Sequence, residues 1–462
     1  MLKTANIEEL VNKKISKLIW QYALPAIIGT SVNALYNTID SIYIGHGLGD
    51  EAINALGIAL PVMTIIAAVG MLVGAGSASR ISIFLGMGDK DAAEKIIGNA
   101  FILSIITSGI VIILLLVFLE PILYLLGATG KTYNYAVEFL RFFLPGSIFS
   151  TMCFGFNNMM RASGYPKKAM YTMLMSVVAN IILAPVFIFI FNWGMMGAAF
   201  ATIISMFISL CFVMYHFMNQ NSMLRIRVAN FRLDAKIVKA ILSIGLSPFF
   251  IQLAAATVAF LIIHSLQQYG GDMAIGAYNI ANKLVMIIIM VIVGLTQGMQ
   301  PIVGYNYGAG NMTRVREAVN YTAKVGVIIG GIGFIIGAFF PSLVVQPFNP
   351  SPALAHASAN ALHIITMMLP LVGFQVVITN FFQCIGMAGK SIFLSLTRQF
   401  LLLIPALYLL PVFWGLDGVW ASMPVADCLS TILTAAMFIW QIRLFKKMEE
   451  QQSANMQASA TD

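Results

Sequence analysis

The stretch that decides the fold is FILSIITSGIVIILLLVFL, residues 101–119, in which no residue is charged. A helix needs about 20 apolar residues to span a membrane. The bilayer interior offers the backbone no water to bond, so a spanning segment must be a helix or a barrel strand. A barrel strand alternates polar and apolar residues over about ten positions, and this stretch does not alternate. It therefore predicts a membrane-spanning helix.

The composition extends this interpretation to the whole chain. Of the 462 residues, 59% are hydrophobic and only 10% are charged, whereas soluble domains carry about 25% charged residues. Dividing the sequence at Gly, Pro and charge clusters predicts twelve spans. We place them at 16–44, 52–83, 93–119, 134–160, 166–191, 195–218, 237–267, 273–304, 315–340, 359–385, 391–413 and 418–444.

The basic residues predict the orientation of these spans. They cluster at the two termini and in the loops that follow even-numbered spans, while the opposite loops hold only Lys131 and Arg141. Because loops rich in Lys and Arg stay in the cytoplasm, we expect both termini inside a multi-pass cytoplasmic (inner) membrane protein. The net charge of +8 therefore reflects topology, and we expect no nucleic-acid partner.

The two halves of the chain repeat each other. Gly88 and Gly310, Asn158 and Asn380, and Gly164 and Gly386 are each 222 positions apart. Six spans per repeat give both halves the same orientation. The predicted fold is an all-α polytopic membrane protein with twelve transmembrane helices in two parallel six-helix repeats around a central cleft. We divide it into an N-lobe at 1–218, a cytoplasmic linker at 219–236, a C-lobe at 237–448 and a polar cytoplasmic tail at 449–462.

Three motifs carry a resemblance to a known family. They are LPAIIGTSVNALYNTIDSIYIGHGLGDEAINALGIALPV (24–62), NNMMRASGYPKKAM (157–170) and GLTQGMQPIVGYNYGAGN (294–311). In order and spacing they resemble the multidrug and toxic compound extrusion (MATE) family, most closely its prokaryotic DinF-like branch. The resemblance implies export of organic cations and other drugs in exchange for H⁺ or Na⁺.

Asp40 is the leading candidate for the coupling-ion site. It lies within the first span, and Asn33 and Asn37 precede it on the same helical face. A carboxylate at this depth is costly, so it needs a cavity, a partner or a proton. The alternative is a structural acid held by hydrogen bonds. The resemblance adds Asn180 and Thr202 to the site.

Ala184 departs from the family pattern, and the departure bears on the choice of ion. Similar proteins often have Asp in the fifth span, where this chain reads Leu183–Ala184–Pro185. A Na⁺ site at Asp40, Asn180 and Thr202 would then contain one carboxylate and neutral oxygens, which weakens the binding of a hard cation. This favours H⁺ over Na⁺. We expect no cofactor and no resident metal.

In the C-lobe, Lys283 and Asp427 each lie about ten residues into a span that enters from outside, which predicts equal depths and a salt bridge. A static structural pair is the alternative. Arg398 lies nearer the cytoplasmic face, where it could snorkel.

Pro25 interrupts the first span and should bend it, as either a moving joint or a fixed kink. Tyr36 and Tyr278 are candidates for an aromatic wall that contacts a cationic drug.

A lipid or polysaccharide-lipid flippase is the closest alternative function, but a pyrophosphate cargo would need more cavity cations than Lys283 and Arg398. A membrane enzyme is the alternative from another class. It would need a metal or nucleophile cluster, and Asp89 with Asp91 is the nearest match. We therefore expect a non-enzymatic monomer whose partners are the lipid bilayer and small amphipathic or cationic molecules.

Overall fold

The computed structural model describes the backbone of residues 9–461, and the side chains of these residues except 33–38, 448–449 and 451–461. Within this part of the chain there are helices and no strands. Among the described residues, eight helices are long and apolar enough to cross a membrane, and the pair Pro352–Thr366 and Leu369–Cys384, bent by 46°, makes a ninth. Two of the eight each contain two helices, because the backbone leaves helical geometry at Gly271 and at Gly415.

Together with Ile15–Leu48, these segments give twelve long helices over the described residues, as predicted. They are α1 Ile15–Leu48, α2 Asp50–Gly86, α3 Lys90–Val117, α4 Gly130–Ala162, α5 Pro166–Pro185 with the π turn Val186–Ile190, α6 Gly194–Met218, α7 235–270, α8 272–308, α9 Met312–Phe339, α10 Pro352–Thr366 with Leu369–Cys384, α11 388–414 and α12 416–461. Short helices Leu119–Leu125 and Pro341–Val345 follow α3 and α9.

The sequence repeat appears in the backbone as matching turns. The turns use glycines with positive φ, a conformation that costs glycine little because it has no Cβ. Corresponding glycines share this geometry: Gly49 (φ 83°) and Gly271 (61°), Gly88 (79°) and Gly310 (74°), Gly164 (91°) and Gly386 (78°), and Gly194 (56°) and Gly415 (56°). The N-caps correspond too, since Asp89 accepts from the Ala92 N–H and Asn311 from the Arg314 N–H. The predicted repeat is therefore confirmed in the turn geometry.

The chain forms two compact units, one containing residues 24–253 and the other containing 10–23 with 254 onward. The start of α1 therefore belongs to the second unit. There Gly298 of α8 faces the Ala23 backbone, and the Trp20 indole donates to the Tyr321 hydroxyl at 3.0 Å. The start of α7 belongs to the first unit, where Gly76 of α2 faces the Ile241 carbonyl. Gly76 and Gly298 are 222 positions apart, so corresponding glycines support corresponding helix crossings.

The long helices of the first unit share an apolar core. Ala52, Ala55 and Ala59 of α2 pack with Phe139 and Phe143 of α4. Farther along the same two helices, Gly74 of α2 faces Gly155 of α4. A Cβ on Gly74 would lie 2.7 Å from the Gly155 Cα, so the two helix backbones are almost in contact. Small residues allow such close approach, and it supplies the dispersion contacts that hold helices together in lipid.

The segment 219–236 is docked on α3. Arg227 Nε lies 2.7 Å from Glu94 Oε2, and the Glu94 carboxylate is buried. Phe231 stacks on Phe101 with ring centroids 4.9 Å apart. The Asp234 N–H donates to Asn99 Oδ1 at 2.8 Å. The segment is therefore bound to the first unit along its length by an ion pair, a ring stack and a hydrogen bond.

Candidate functional site

Asp40 is buried in α1, with 5% of its surface exposed. Its Oδ1 has no hydrogen-bond partner among the residues whose side chains are described. A buried carboxylate oxygen without a donor is costly unless a proton or a cation satisfies it. The predicted neighbours Asn33, Tyr36 and Asn37 lie outside the described side chains.

Asn180 of α5 and Thr202 of α6 lie together, as the predicted site requires. Asn180 Nδ2 is 3.5 Å from Thr202 Oγ1, and Thr202 donates its hydroxyl hydrogen to the Ala198 carbonyl at 3.1 Å. Asn180 is fully buried, and its Oδ1 lacks a donor among the described residues. The free group that Asn180 presents is therefore a second acceptor oxygen.

Asp40 and Asn180 lie at similar levels on two parallel helices. α1 contacts α5 at Gly29, opposite Met173, and again at Gly47, opposite Ile188. Counted from the first contact, Asp40 follows Gly29 by eleven residues and Asn180 follows Met173 by seven. Counted back from the second contact, Asp40 precedes Gly47 by seven residues and Asn180 precedes Ile188 by eight. At a rise of 1.5 Å per residue the two levels differ by roughly 2–6 Å.

Ala184 lies one helical turn beyond Asn180 on α5 and is fully buried. It belongs to the apolar core of the first unit, with Phe187 and Met195 among the members. Its methyl group adds no oxygen to the Asp40 region, so the set of acceptors at this level contains one carboxylate.

In the second unit the buried acid has a different partner from the one predicted. Arg398 Nε lies 2.6 Å from Asp427 Oδ1. Lys283 is exposed on α8, and no ion pair of Lys283 is present among the described residues. The expected Lys283–Asp427 pair is therefore corrected to Arg398–Asp427. Residue counting estimates depth but not the face of a helix, and it does not foresee that Arg398 enters a π turn, Thr397–Leu403.

Sequence reasoning missed Arg398 as the partner because the π turn leaves no plain signal in the sequence. π turns are rare overall, but those that occur are frequently at functional sites.

The other two candidates, Tyr278 and Pro25, lie away from this ion pair in the sequence. Tyr278 is buried on α8, and Pro25 lies inside a continuous α1, one residue after the point where the chain passes from one compact unit to the other.

We expect the Arg398–Asp427 pair to stabilise the second unit. Arg398→Gln or Asp427→Asn alone should lower the free energy of unfolding by up to about 3 kcal/mol. This is the lower end of the destabilisation expected when one partner of a buried ion pair is removed, because Arg398 is partly exposed. The double variant should recover part of the loss. Thermal unfolding of a double-mutant cycle measures this coupling. A matched cycle with Lys283→Gln and Asp427→Asn should be additive. Additivity in the Arg398 cycle would contradict the pairing.

Comparison with known proteins agrees with this architecture. The MatE family model matches residues 25–186 and again 248–409, so it covers corresponding parts of both repeats. The chain is 28% identical over 425 residues to the multidrug export protein MepA of Staphylococcus haemolyticus, covering 92% of this chain and 93% of that protein.

Solved structures of MATE in a bent and in a straight conformation superpose with TM-scores of 0.90 and 0.89. Each is 27% identical to this chain, and each comparison covers 95% of this chain and 98% of the other. The family match, the repeated turns and the shared fold together show that the chain belongs to the MatE family, the multidrug and toxic compound extrusion transporters.

Proposed function

We propose that this membrane transporter exports several kinds of organic cation and amphipathic drug by alternating access, in exchange for protons that bind at Asp40. Family membership and the similarity to a multidrug export protein support the drug-export part. The basic loops support an orientation with both termini in the cytoplasm. The observation that carries the coupling part is the buried Asp40 Oδ1 with no donor among the described side chains.

A single proton suits this group of atoms. Asp40 and Asn180 present acceptor oxygens at a similar level, and neither oxygen has a donor among the described residues. A protonated Asp40 can donate one hydrogen bond, and an oxygen such as Asn180 Oδ1 can accept it. Loss of that proton would leave a buried charged carboxylate, a state that favours a cationic drug or a new proton.

Na⁺ is the alternative coupling ion, and the oxygens at this site can be compared with the ligands that Na⁺ requires. Asp40, Asn180 and Thr202 offer oxygens, which are the ligand type that hard cations prefer. The group includes a single carboxylate, because position 184 is Ala. Hard cations such as Ca²⁺ take about six to eight oxygens, so three from these side chains are a small set. This supports the proton assignment.

Transport in proteoliposomes tests the proposal. A fluorescent organic cation should be moved by an imposed pH gradient in Na⁺-free buffer, because one carboxylate suffices to carry the proton. Dissipating the pH gradient should stop transport, and an imposed Na⁺ gradient alone should not drive it. Transport that stops without Na⁺ and returns when Na⁺ is added would contradict proton coupling. No movement of organic cations under either gradient would contradict drug export.

A further inference from the structure

An apolar groove of about 520 Å³ runs between α5 and α6. Its walls include Tyr171, Leu174 and Val178 of α5, with Ile208 and Phe212 of α6. The α5 residues are spaced three and four apart, so they lie on one face of the helix. Tyr171 and Val178 are more than half exposed, which shows that the groove is open along its side. In a membrane-spanning chain, an opening lined by apolar side chains suits contact with the bilayer.

A polar cavity of about 130 Å³ adjoins one end of this groove, and Phe212 lines both. The volume equals that of about four water molecules in the liquid, which leaves room for a phosphate group. We call it the head pocket. Its polar lining includes Lys168 at the start of α5, His216 near the end of α6, and three residues that follow α6, Asn219, Asn221 and Ser222.

Hydrogen bonds fix which way Lys168, His216 and Ser222 donate. Lys168 Nζ is 3.2 Å from His216 Nδ1, and a lysine ammonium can only donate. His216 Nδ1 therefore accepts, and the ring proton is on Nε2, which is 3.3 Å from Ser222 Oγ. Ser222 accepts that bond, and its own hydroxyl hydrogen is left to donate into the pocket.

The Asn219 side chain also leaves hydrogen-bond donors available to a ligand. Its Oδ1 accepts from the Asn221 N–H at 2.8 Å, so its amide N–H groups are the ones left to bind a ligand. No carboxylate lines the head pocket, and no ion pair of Lys168 is seen within the described part of the chain. A pocket with an ammonium, amide and hydroxyl donors and no acid suits an anion, because charge-assisted hydrogen bonds are the strong ones.

The combined length of pocket and groove matches one leaflet of a bilayer. From Lys168 to Val178 is ten residues of helix, or about 15 Å. That is half of the roughly 30 Å hydrocarbon thickness. The head pocket lies at the end of α5 and α6 that our proposed orientation places at the cytoplasmic surface, where anionic lipids are concentrated. Tyr215, which also lines the pocket and is largely exposed, suits the membrane interface.

We propose that the crevice between α5 and α6 binds one anionic phospholipid, with the lipid phosphate in the head pocket and one acyl chain in the groove. The site lies apart from Asp40 and goes beyond the proposed transport function. Of the proposed function it uses only the orientation, which assigns the lipid to the cytoplasmic leaflet. Lys168 supplies the charge that selects an anionic lipid, and the α5–α6 groove selects a molecule with a long chain.

Native mass spectrometry of the purified protein in an uncharged detergent tests the site. The probe is dioleoylphosphatidylglycerol, titrated against wild type, Lys168→Gln and Ala179→Phe. Ala179 lines the groove one residue beyond Val178, so a phenyl ring there should block the acyl chain. Lys167→Gln is the matched control, because Lys167 is the adjacent exposed lysine and does not line the head pocket. Dihexanoylphosphatidylglycerol and inorganic phosphate are the short-chain and chain-free probes.

We expect wild type to bind one long-chain lipid most tightly and Lys168→Gln to weaken it by about tenfold or more, the loss of one charge-assisted bond. Lys167→Gln should bind like wild type. Ala179→Phe should weaken the long-chain lipid and leave the short-chain lipid unchanged. Equal binding by the two lysine variants would overturn the head pocket. An unchanged long-chain affinity in Ala179→Phe would overturn the groove. Inorganic phosphate bound as tightly as the long-chain lipid would show a free-anion site instead.

Discussion

Replacing Asp40 with Asn should abolish ion-coupled export and leave the fold intact. The amide keeps the shape of the carboxyl group but cannot take up and release a proton. Asp40 is buried in α1, and its Oδ1 lacks a donor among the described side chains, so the substitution costs no described hydrogen bond at that atom. In the proteoliposome assay, gradient-driven uptake of a fluorescent cation should fall to the level of empty vesicles. Melting temperature and elution profile should match wild type.

Asp50→Asn is the matched control for Asp40→Asn. Asp50 lies in the first turn of α2 and is exposed, so the same chemical change falls outside the buried group. Its transport should stay near the wild-type rate. If Asp40→Asn still accumulated the cation against its gradient when a pH gradient was imposed, Asp40 would not carry the coupling proton.

Replacing Gly76 with Val should prevent the normal packing of α2 against α7. A Cβ at Gly76 would collide with the Ile241 carbonyl, and that neighbour is backbone, which cannot rotate away. Overpacking commonly costs about 1–3 kcal/mol, and we expect about 3 kcal/mol or more for a clash with a helix backbone. The variant should give a lower yield of monodisperse protein and a lower melting temperature. Gly298→Val should behave alike, because Gly298 faces the Ala23 backbone.

Gly109→Val is the matched control, because no described atom outside the local backbone of α3 lies within 4 Å of a Cβ at Gly109. It adds the same side chain in a long helix and should change neither yield nor melting temperature appreciably. Equal stability of Gly76→Val and Gly109→Val would show that the crossing of α2 and α7 tolerates a side chain, and that the repeated glycines serve another purpose.

The repeat and the helices were predictable because both depend on local pattern. Apolar runs of membrane-spanning length admit only helices or closed barrels, so residues such as 101–119 determine the class without tertiary contacts. Gly88 and Gly310, or Gly164 and Gly386, sit where helices end, and their positive φ confirms the turns that the spacing predicted. Boundaries were less accurate. The first span was placed at 16–44, whereas α1 ends at Leu48, since a helix can continue past its apolar run.

The partner of Asp427 was not predictable in the same way. Depth along a helix follows from counting residues, and this placed Lys283 level with Asp427. Pairing also requires that two side chains point at each other, which depends on helix rotation. The π turn at Thr397–Leu403 contains Arg398, and packing turns Lys283 outward. Conversely, the docking of 219–236 on α3 through Glu94 needed long-range contacts that no local pattern encodes.

The sequence by itself therefore determined the class of protein, the twelve spans, the parallel repeat and Asp40 as a buried acid, because hydrophobicity, glycine geometry and the cost of a charge in lipid act on residues one at a time. Only the tertiary structure decided that Asp427 bonds Arg398. It also decided that Asn180 Oδ1, beside Thr202, has no donor among the described residues. The groove between α5 and α6, which ends in a donor-lined pocket, is likewise a result of the tertiary structure. These features depend on the relative rotation of packed helices, and that rotation is set by contacts between residues far apart in the chain.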